Sequence, residues 1–524
     1  MNKHIFTNVV IMIIISLFFM QSLSPAQVIS EQKKAEVFTE TTDLEFTMSF
    51  SFNDMVFSSL YGYDTVFFDD CKIVNDIGKP MLPVEQIRVA LPAGMAVDHV
   101  SVVDTQSVVV DGRYDILPTQ LPRKTDGSDD NARFIEPEMM VYGSSQLYPS
   151  SPVEFIAHTD LAGQGMGVFE IYPLQYKPLL KELMFHSSIT FKISCEDGYV
   201  CGDYLSNSFS ELEIDDLTND VMDMVMNPLD VELHMSDNPQ PLTLDPGDYD
   251  HVIISRSSDV TYWGPLAEWH TKRGLTDTVV TIDYIYSQYS GDNQQKVRSF
   301  VQDAYNTWGT RYILIAGEHS DVPFEYRTYG EDYIPSDEYY GDFDDDWTYE
   351  VYIGRSTARG ITEVNRFIEK VFKYEKDPPM TNYILDATLL GMDLTLASDP
   401  PYYTLTRGEL LKMNIDNNYI PSRFTITEVY DTEGVNHRSE FISALNDGQN
   451  LVNHNDHSYT SSMGCGDRNH GWYISSSTVD GLYNNDRMCN IFSTGCHPNE
   501  MDASDSISEH FVIYNSLQAG VSFT

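Results

Sequence analysis

The chain has 524 residues, of which 42% are apolar, and this supplies enough core for about two to four domains. It carries 32 basic and 79 acidic residues, which gives a formal net charge of −47. So negative a protein is repelled by nucleic acid and by anionic lipid, and we expect neither as a partner. The acidic surface is typical of a well-solvated protein, and it suits calcium or a salty exterior.

The N-terminus predicts a secretory signal peptide at residues 1–26. Lys3 precedes an apolar run from Val9 to Phe19, and small residues follow at Ser24 and Ala26. An uncleaved N-terminal anchor is the alternative, but the run is shorter than the about 20 residues of a membrane span. We therefore expect a secreted or cell-surface protein that has no membrane span after signal removal.

Residues 27–240 predict a β-sandwich. Short alternating runs are punctuated there by Gly, Pro, Asn and Asp, as in "QIRVALPAG" and "SSITFKISCEDG". Residues 235–250 are rich in Pro and Asp and have no periodicity. We place a domain boundary in that stretch.

From residue 248 onward the pattern changes to alternating strands and helices. The strand "YDHVIISRS" is followed by a helical pattern from Val260 to Lys272, a strand "TDTVVTID", a second helical pattern and the strand "RYILIAG". This alternation predicts a mostly parallel sheet with helices on both faces. We expect two such α/β subdomains, at residues 248–376 and 377–524.

The second α/β subdomain is predicted from five apolar runs and three helical patterns. The helices are expected near Tyr403–Asn414, Arg438–Leu445 and Ser506–Gln518. The final letters "AGVSFT" are typical of a strand that is interrupted, so we expect the sequence to be truncated at its C-terminus.

Six cysteines in an exported chain can form disulfides. Cys195 and Cys201 could close a hairpin, and Cys465 and Cys489 could pair across a loop-rich stretch. Cys71 and Cys496 then remain, far apart in the sequence. An unpaired thiol in a secreted protein is a candidate reactive group.

Two predicted strand ends carry reactive side chains. In parallel α/β sheets the functional loops follow the carboxyl ends of the strands. One such end places His454 and His457 after an apolar run, and another places Cys496 after "NIFSTG". An imidazole can take the proton of a thiol, and backbone N–H groups can face an oxyanion. Spacing alone leaves Cys496 as a buried structural thiol, half of a disulfide, or a nucleophile.

Several segments, in order, resemble the gingipain family of secreted cysteine peptidases. "GKPMLPVEQIRVALPAG" and "IYPLQYKPLLKEL" are similar to its propeptide, whereas "ILIAGEHSDVP", "IPSDEYYGDFDDDW", "VYIGRS" and "VFKYEK" are similar to its first α/β subdomain. "LVNHNDHSYTSSMG" and "NIFSTGCHPNEMD" resemble the segments that hold its histidine and its nucleophile. The resemblance implies a caspase-like fold and a zymogen that its own propeptide inhibits, with proteins or peptides as substrates.

By position, the resemblance implies a catalytic site made of Cys496 as nucleophile, His457 as base and Asp393 as the carboxylate that orients the histidine. It also implies an oxyanion hole formed by the backbone amides of Ser458 and Cys496. However, Asp456 and Ser458 replace two glycines that flank the histidine in the family. A catalytically inactive protein that binds a surface or matrix is therefore the alternative function.

Three further interpretations concern neighbouring residues. Asp393 could simply be a helix cap or a loop aspartate, and Asp456 could hold the imidazole of His457. We interpret His454 as a neighbouring polar residue and not as the base.

Two segments suggest metal ligands. "HNDH" resembles part of a His-x-His-x-Asp-His metallohydrolase cluster, but Val452 occupies the position of its first histidine, which argues against catalytic zinc. "GDFDDDW" places Asp342, Asp344 and Asp346 at alternating positions, which suits calcium, although a solvated acidic loop is the alternative. The resembled family also contains calcium sites. We expect no cofactor for catalysis and a structural calcium ion at these aspartates.

Overall fold

The structure is a computed structural model. It describes residues 43–68, 71–73, 76–120, 134–198, 209, 211–233, 244–329, 332–395, 406–431, 436–466, 472–502 and 505–524. The predicted signal peptide and Cys201 lie outside the described residues. Contacts divide the described chain into two units, one with residues 43–198 and 211–233, the other with residue 209 and everything from 244 onward. Among the described helices, none has the length and apolar character required to cross a bilayer.

The described part of the first unit consists mainly of antiparallel strands, with two α-helices. Its strands are β1 (Asp43–Ser49), β2 (Met55–Leu60), β3 (Tyr63–Phe68), β4 (Lys72–Ile73), β5 (Pro83–Ala90), β6 (Met95–Val109), β7 (Val153–Leu161), β8 (Gln164–Ile171), β9 (Leu174–Lys177) and β10 (Glu182–Asp197). Its helices are α1 (Met139–Tyr142) and α2 (Glu211–Met224). One sheet has the order β1-β10-β6 with β9 also on β10, another has the order β4-β5-β8-β7, and β2 and β3 form a hairpin.

The two larger sheets of this unit share a core. Along β10 the side chains of Ile189, Phe191 and Ile193 are fully buried and alternate with less buried ones. They belong to one apolar cluster with Phe169 and Ile171 of β8. This alternation is the pattern that an antiparallel strand adopts when one of its faces covers a core.

The second unit begins with a four-stranded parallel sheet. Its strands are β11 (His251–Ser255), β12 (Asp277–Thr281), β13 (Tyr312–Ala316) and β16 (Tyr352–Ser356), and β14 (Glu325–Tyr329) with β15 (Asp332–Ser336) forms a separate hairpin. The sheet order is β12-β11-β13-β16, and all its pairs are parallel. The helices α3 (Val260–Arg273), α4 (Ile282–Gln288) and α5 (Asn293–Trp308) lie between these strands, and α6 (Gly360–Glu375) follows the last of them.

A five-stranded parallel sheet completes the second unit. The strands of this part are β17 (Asp386–Gly391), β18 (Asp393–Thr395), β19 (Thr406–Arg407), β20 (Thr425–Tyr430), β21 (Leu451–Asn455), β22 (Ser458–Tyr459), β23 (Ser462–Gly464), β24 (Tyr473–Ser475), β25 (Cys489–Ser493) and β26 (Gly520–Phe523). The sheet has the order β20-β17-β21-β25-β26, while β18-β19 and β22-β23-β24 are small antiparallel sheets. The helices are α7 (Gly408–Asn418), α8 (His437–Asp447), α9 (Ser476–Asp480) and α10 (Ile507–Glu509).

Local sequence signals set several helix ends. Helix α5 starts at a capping box in which Asp292 and Gln295 bind each other's backbone N–H groups. Its end at Gly309 has a φ of 71°, and the end of α3 at Gly274 has a φ of 97°. Glycine adopts this left-handed conformation without the strain that a Cβ would introduce.

The last helix, predicted near Ser506–Gln518, begins where expected but ends earlier, at Tyr514. Helix α10 is followed by a π-helical turn at His510–Tyr514, and the chain then leaves the helical conformation. Leu517 and Ala519 have φ values of 43° and 62°, which turn the chain into β26. The helical segment itself ends at Tyr514, because Asn515 is extended, with a φ of −102° and a ψ of 139°.

Two buried lysines tie helices to the second sheet. The Lys370 ammonium in α6 donates hydrogen bonds to the carbonyl oxygens of Phe511 and Gly520, at 2.6 and 3.0 Å. Lys412 in α7 donates to the side-chain oxygen of Asn453 in β21. Burial lowers the pKa of each lysine to about 7.

His454 joins three strands at the carboxyl edge of this sheet. Its Nε2 lies 2.8 Å from the carbonyl oxygen of Gly464 in β23, and its Nδ1 lies 2.9 Å from the hydroxyl of Ser493 in β25. A carbonyl oxygen only accepts, so Nε2 carries the proton and Nδ1 accepts from Ser493. The side chain is fully buried, and this burial lowers the pKa of His454 to about 4.

The lowered pKa makes the stability of the fold depend on pH. Between pH 6.5 and about 4 the unfolded chain binds a proton at His454 that the folded chain does not bind, so this contribution is lost as the pH falls. In a His454→Gln variant the side chain at this position does not bind a proton in this pH range. We expect the difference in unfolding free energy between wild type and variant to narrow, by on the order of 3 kcal/mol, as the pH falls through this range.

Urea unfolding at a series of pH values measures this difference. Phe441 stacks against the His454 ring at 6.3 Å and does not titrate, so a Phe441→Leu variant is the matched control. It should be less stable than wild type by the same amount at every pH. A constant difference for His454→Gln would contradict the assignment.

Candidate active site

The register of three parallel strands brings the sequence-predicted residues to one edge. In the β21–β25 pair His454 is opposite Ser493, so His457 and Cys496 each lie three residues past a paired position. In the β17–β21 pair Gly391 is opposite Asn455, so Asp393 and His457 each lie two residues past it. All three therefore follow the carboxyl ends of neighbouring strands.

A backbone carbonyl orients the His457 imidazole. Its Nε2 lies 2.8 Å from the carbonyl oxygen of Leu394. Because that oxygen can only accept, Nε2 carries the proton and Nδ1 carries the lone pair. Nδ1 is thus the ring nitrogen that can take a proton from a neighbouring group.

Asp393 is the residue before this carbonyl. Only 8% of Asp393 is exposed, and its backbone N–H donates to the carboxylate of Asp431 at 2.7 Å. The group placed against the imidazole of His457 is thus the carbonyl one residue further along the chain. The orienting role of the Asp393 carboxylate stays a prediction.

His454 and Asp456 bind internal groups of the protein. His454 uses both ring nitrogens within the sheet, which agrees with its interpretation as a neighbouring polar residue. Asp456 is buried and accepts the N–H of His457 at 2.7 Å and the N–H of Gly466 at 3.0 Å. Asp456 therefore fixes the backbone around His457, and these two bonds do not involve the imidazole.

The backbone of Ser458 faces away from β23. Gly464 donates its N–H to the carbonyl of His457 at 2.8 Å. Across a trans peptide bond the C=O of one residue and the N–H of the next point in opposite directions. The Ser458 N–H is thereby directed away from β23, as an oxyanion donor beside the sheet edge requires.

The two loops touch at Gly495 and Ser458. A Cβ on Gly495 would lie 2.2 Å from the Ser458 hydroxyl oxygen, a distance that no real contact allows. The Ser458 side chain is buried, and its hydroxyl has no hydrogen-bond partner among the described residues. Ser493, whose hydroxyl binds His454, also accepts the N–H of Gly495 at 3.1 Å. These contacts hold the loop of Cys496 against the loop of His457.

The cysteines differ strongly in burial. Cys496 is exposed, as a nucleophile for an external substrate must be. Cys465 and Cys489 are separate buried thiols, so the predicted pairing of these two is wrong. Burial raises the pKa of Cys489 to about 12 and raises that of Cys465 further. Both thiols instead belong to the apolar core of the second sheet.

Two groups of side chains among the described residues could hold a metal ion. Neither includes the "HNDH" residues. One group is the predicted set Asp342, Asp344 and Asp346, whose oxygen atoms lie within 4.8 Å of one another. The other is His251, His270 and Asp277, which the sequence did not indicate.

The acidic group surrounds a tight loop. Asp342 is fully buried, and its two oxygens accept the N–H groups of Asp346 and Trp347, both at 3.1 Å. Burial, followed by a hydrogen bond to Glu338, raises the pKa of Asp342 to about 6. Arg327 supplies a positive charge 3.6 Å from the same carboxylate. The loop thus offers oxygen atoms of the type that hard cations bind.

Comparison with known proteins gives matches to two family models. A model of the C25 propeptide matches residues 40–219, and a model of peptidase family C25 matches residues 244–521. Gingipain R2 of Porphyromonas gingivalis is 24% identical over 443 residues, which are 81% of this chain and 54% of the relative. An uncharacterized protein of Archaeoglobus fulgidus is 25% identical over 235 residues, 39% of this chain and 56% of its own length. The chain thus spans about half the length of these curated relatives.

Two solved structures are similar over about half of this chain. The crystal structure of the Arg-specific cysteine proteinase gingipain R is 21% identical with a TM-score of 0.44, over 54% of this chain and 64% of that chain. The complex of Porphyromonas gingivalis RgpB pro- and mature domains is 20% identical with a TM-score of 0.43, over 52% and 62%. Because the match at residues 244–521 alone covers more than half of the sequence, the chain belongs to peptidase family C25.

Proposed function

We propose that this chain is a secreted cysteine endopeptidase, made as a zymogen, in which Cys496 is the nucleophile and His457 is its base. The register of β21 and β25 carries the proposal. It pairs His454 with Ser493, and the two proposed catalytic residues each lie three positions past this pair. The contact between Gly495 and Ser458 joins the same two loops. Membership of peptidase family C25 supports this chemistry.

In the proposed reaction the Nδ1 of His457 takes the proton of the Cys496 thiol, and the sulfur attacks the scissile carbonyl carbon. The imidazolium gives this proton to the leaving amine as the bond between carbon and nitrogen breaks. Water then loses a proton to the imidazole and attacks the thioester, which releases the acid and restores the thiol. The Leu394 carbonyl holds the ring during these steps.

The oxyanion is stabilised by the backbone N–H groups of Ser458 and Cys496 in this proposal. The peptide bond between His457 and Ser458 supports the first donor, since it directs the Ser458 N–H away from β23. The Asp393 carboxylate adds negative charge near the imidazolium. Asp393 lies two residues past Gly391, which pairs with Asn455 in β21, and this position supports that role.

The first unit is proposed to be a β-sandwich propeptide that inhibits the caspase-like peptidase of the second. The C25 propeptide match and its place before the peptidase support this order. Proteins or peptides are the proposed substrates. Export fits the predicted signal peptide at residues 1–26, which lies outside the described residues.

A catalytically inactive binding protein is the rival function. Asp456 and Ser458, which replace glycines of the resembled family, are the observation that favours it. The buried hydroxyl of Ser458 lies where a glycine would leave space. Chemistry at Cys496 decides between the two functions.

The nucleophile is tested with a Cys496→Ala variant. We expect kcat/KM for peptide hydrolysis to fall by about 10⁴-fold or more, because no other group supplies the covalent intermediate. Hydrolysis of a peptide library measures this after removal of the propeptide. A Cys465→Ala variant, which changes a buried thiol, should keep its activity.

A thiol-reactive peptidyl probe gives the complementary result. Labelling of Cys496 is expected in the processed protein. Retained hydrolysis in Cys496→Ala would contradict the mechanism, whereas failure of the processed wild type to react or hydrolyse would favour the binding protein.

The contact between the loops is tested with a Gly495→Ala variant. The added Cβ would collide with the Ser458 hydroxyl, so we expect a loss of about 1–3 kcal/mol in stability and of about 100-fold in kcat/KM. Replacing Ser458 by glycine in the Gly495→Ala chain removes the collision. This second change should restore much of the lost stability and of the lost kcat/KM. Gly354→Ala is the control, since nothing lies within 4 Å of its Cβ position. Equal activity of Gly495→Ala and wild type would contradict the close contact.

A calcium ion at Asp342, Asp344 and Asp346 is also proposed, as a structural ion with no part in catalysis. The convergence of the three carboxylates supports it. We expect calcium to raise the melting temperature of the full chain, and a double Asp344→Asn, Asp346→Asn variant to abolish that rise. Since protons compete for Asp342, whose pKa is about 6, the effect should weaken below that pH.

Differential scanning calorimetry with calcium or EDTA measures the shift. Asp345 lies in the same loop but is exposed and binds Arg327 at 3.0 Å, so Asp345→Asn is the matched control and should keep the response. A calcium response that persists in the double variant would exclude this site.

A further inference from the structure

Two histidines and an aspartate meet at the amino-terminal edge of the first parallel sheet. His251 starts β11 and Asp277 starts β12, and the register pairs these two residues directly. His270 lies in the last turn of α3, which connects the two strands. The crossover of one strand-helix-strand unit therefore brings together residues that are well separated in sequence.

The donor atoms of the three side chains converge. The Nδ1 atoms of His251 and His270 lie 2.9 and 2.7 Å from the same oxygen, Oδ2 of Asp277. The two rings are nearly perpendicular, at 81°, with centroids 4.8 Å apart. The Asp277 side chain is fully buried, and the histidine side chains are 11% and 13% exposed. The cluster is thus enclosed, with a narrow opening on the histidine side.

Hydrogen bonding alone leaves two polar atoms of the cluster unsatisfied. Although the Nδ1 of His251 is close to Asp277, it makes no hydrogen bond of acceptable geometry to any described residue. The Oδ1 of Asp277 is also buried, and no group in the described part of the chain binds it. Buried polar atoms without partners are costly, and a bound ion is one of their ordinary explanations.

We propose that His251, His270 and Asp277 bind a divalent transition-metal ion, and that zinc is the ion they suit best. Two imidazole nitrogens and one carboxylate oxygen form a common zinc ligand set, whereas calcium and magnesium prefer oxygen alone. Adjacent ligand atoms on tetrahedral zinc lie about 0.5 Å farther apart than the two N–O distances here, a change that small side-chain rotations provide. Each histidine binds through Nδ1 and keeps its proton on Nε2.

The ion would connect the start of β11, the end of α3 and the start of β12. These lie at the amino-terminal ends of the strands of the first sheet, while Cys496 follows the carboxyl end of a strand in the second. The site is therefore structural and independent of the proposed peptidase chemistry. Three protein ligands leave a fourth position for water at the opening beside the histidines.

Zinc titration of the full chain by calorimetry tests the site. The Cys496→Ala substitution is made throughout, because a thiol beside an imidazole also binds zinc, and excess calcium occupies the acidic loop. We expect one zinc ion per chain. Asp277→Asn and His270→Gln should each weaken the zinc affinity by about 100-fold or more. The loss of a direct ligand should weaken binding more than the loss of a group that only supports a ligand.

His510→Gln is the matched control, because His510 binds Asp480 at 2.8 Å in a similar pair that no third ligand among the described residues completes. It should bind zinc as tightly as the parent. Cobalt provides a second measurement that does not depend on a loss of binding. A His270→Cys variant should keep one cobalt ion and gain a thiolate-to-cobalt charge-transfer band. Absence of zinc binding in the parent, unchanged affinity in Asp277→Asn, or no such band in His270→Cys would overturn the proposal.

Discussion

The parallel pairing of β21 with β25 is the constraint on which the candidate site depends. This pairing sets His454 opposite Ser493, and the two loops that leave the strands there carry His457 and Cys496. A shift of the register by one residue would move one of the two side chains to the other face of the sheet. The position of the site is therefore fixed by backbone hydrogen bonds of the core and needs no long-range signal in the loops themselves.

Buried polar groups make that pairing specific. His454 links β21 to Ser493, whose hydroxyl also accepts the N–H of Gly495, so one chain of hydrogen bonds runs from the core to the loop of Cys496. Asp456 fixes the other loop through two backbone N–H groups. These groups must remain neutral or fully bonded to be tolerated in the interior. The same reasoning explains why Asp456 is tolerated as a buried residue beside the histidine, since backbone N–H groups bind its carboxylate.

The sequence was informative where function depends on side chains at strand ends. The positions of Cys496 and His457 at neighbouring strand ends could be predicted because each follows an apolar run, whereas their catalytic roles stay predictions. Helix α3 could be predicted from its apolar spacing and from Gly274, which ends it. The Leu394 carbonyl could not be predicted, because every residue has one and only folding decides which carbonyl meets the ring. The cluster of His251, His270 and Asp277 could not be predicted for a related reason. Its members become neighbours only through a strand crossover. The length of the last helix was overestimated, because neither the extended Asn515 nor the left-handed Leu517 and Ala519 change the apolar pattern.

The rate at which iodoacetamide alkylates Cys496 tests the central claim most directly. It is measured at neutral pH by mass spectrometry on the processed chain and on its His457→Ala variant, with the buried Cys465 and Cys489 as internal references. If the imidazole takes the proton of the thiol, alkylation of Cys496 should be about 100-fold slower in the variant, while the references stay unlabelled in both. Equal rates at Cys496 in the two proteins would show that the thiol and the imidazole do not act together.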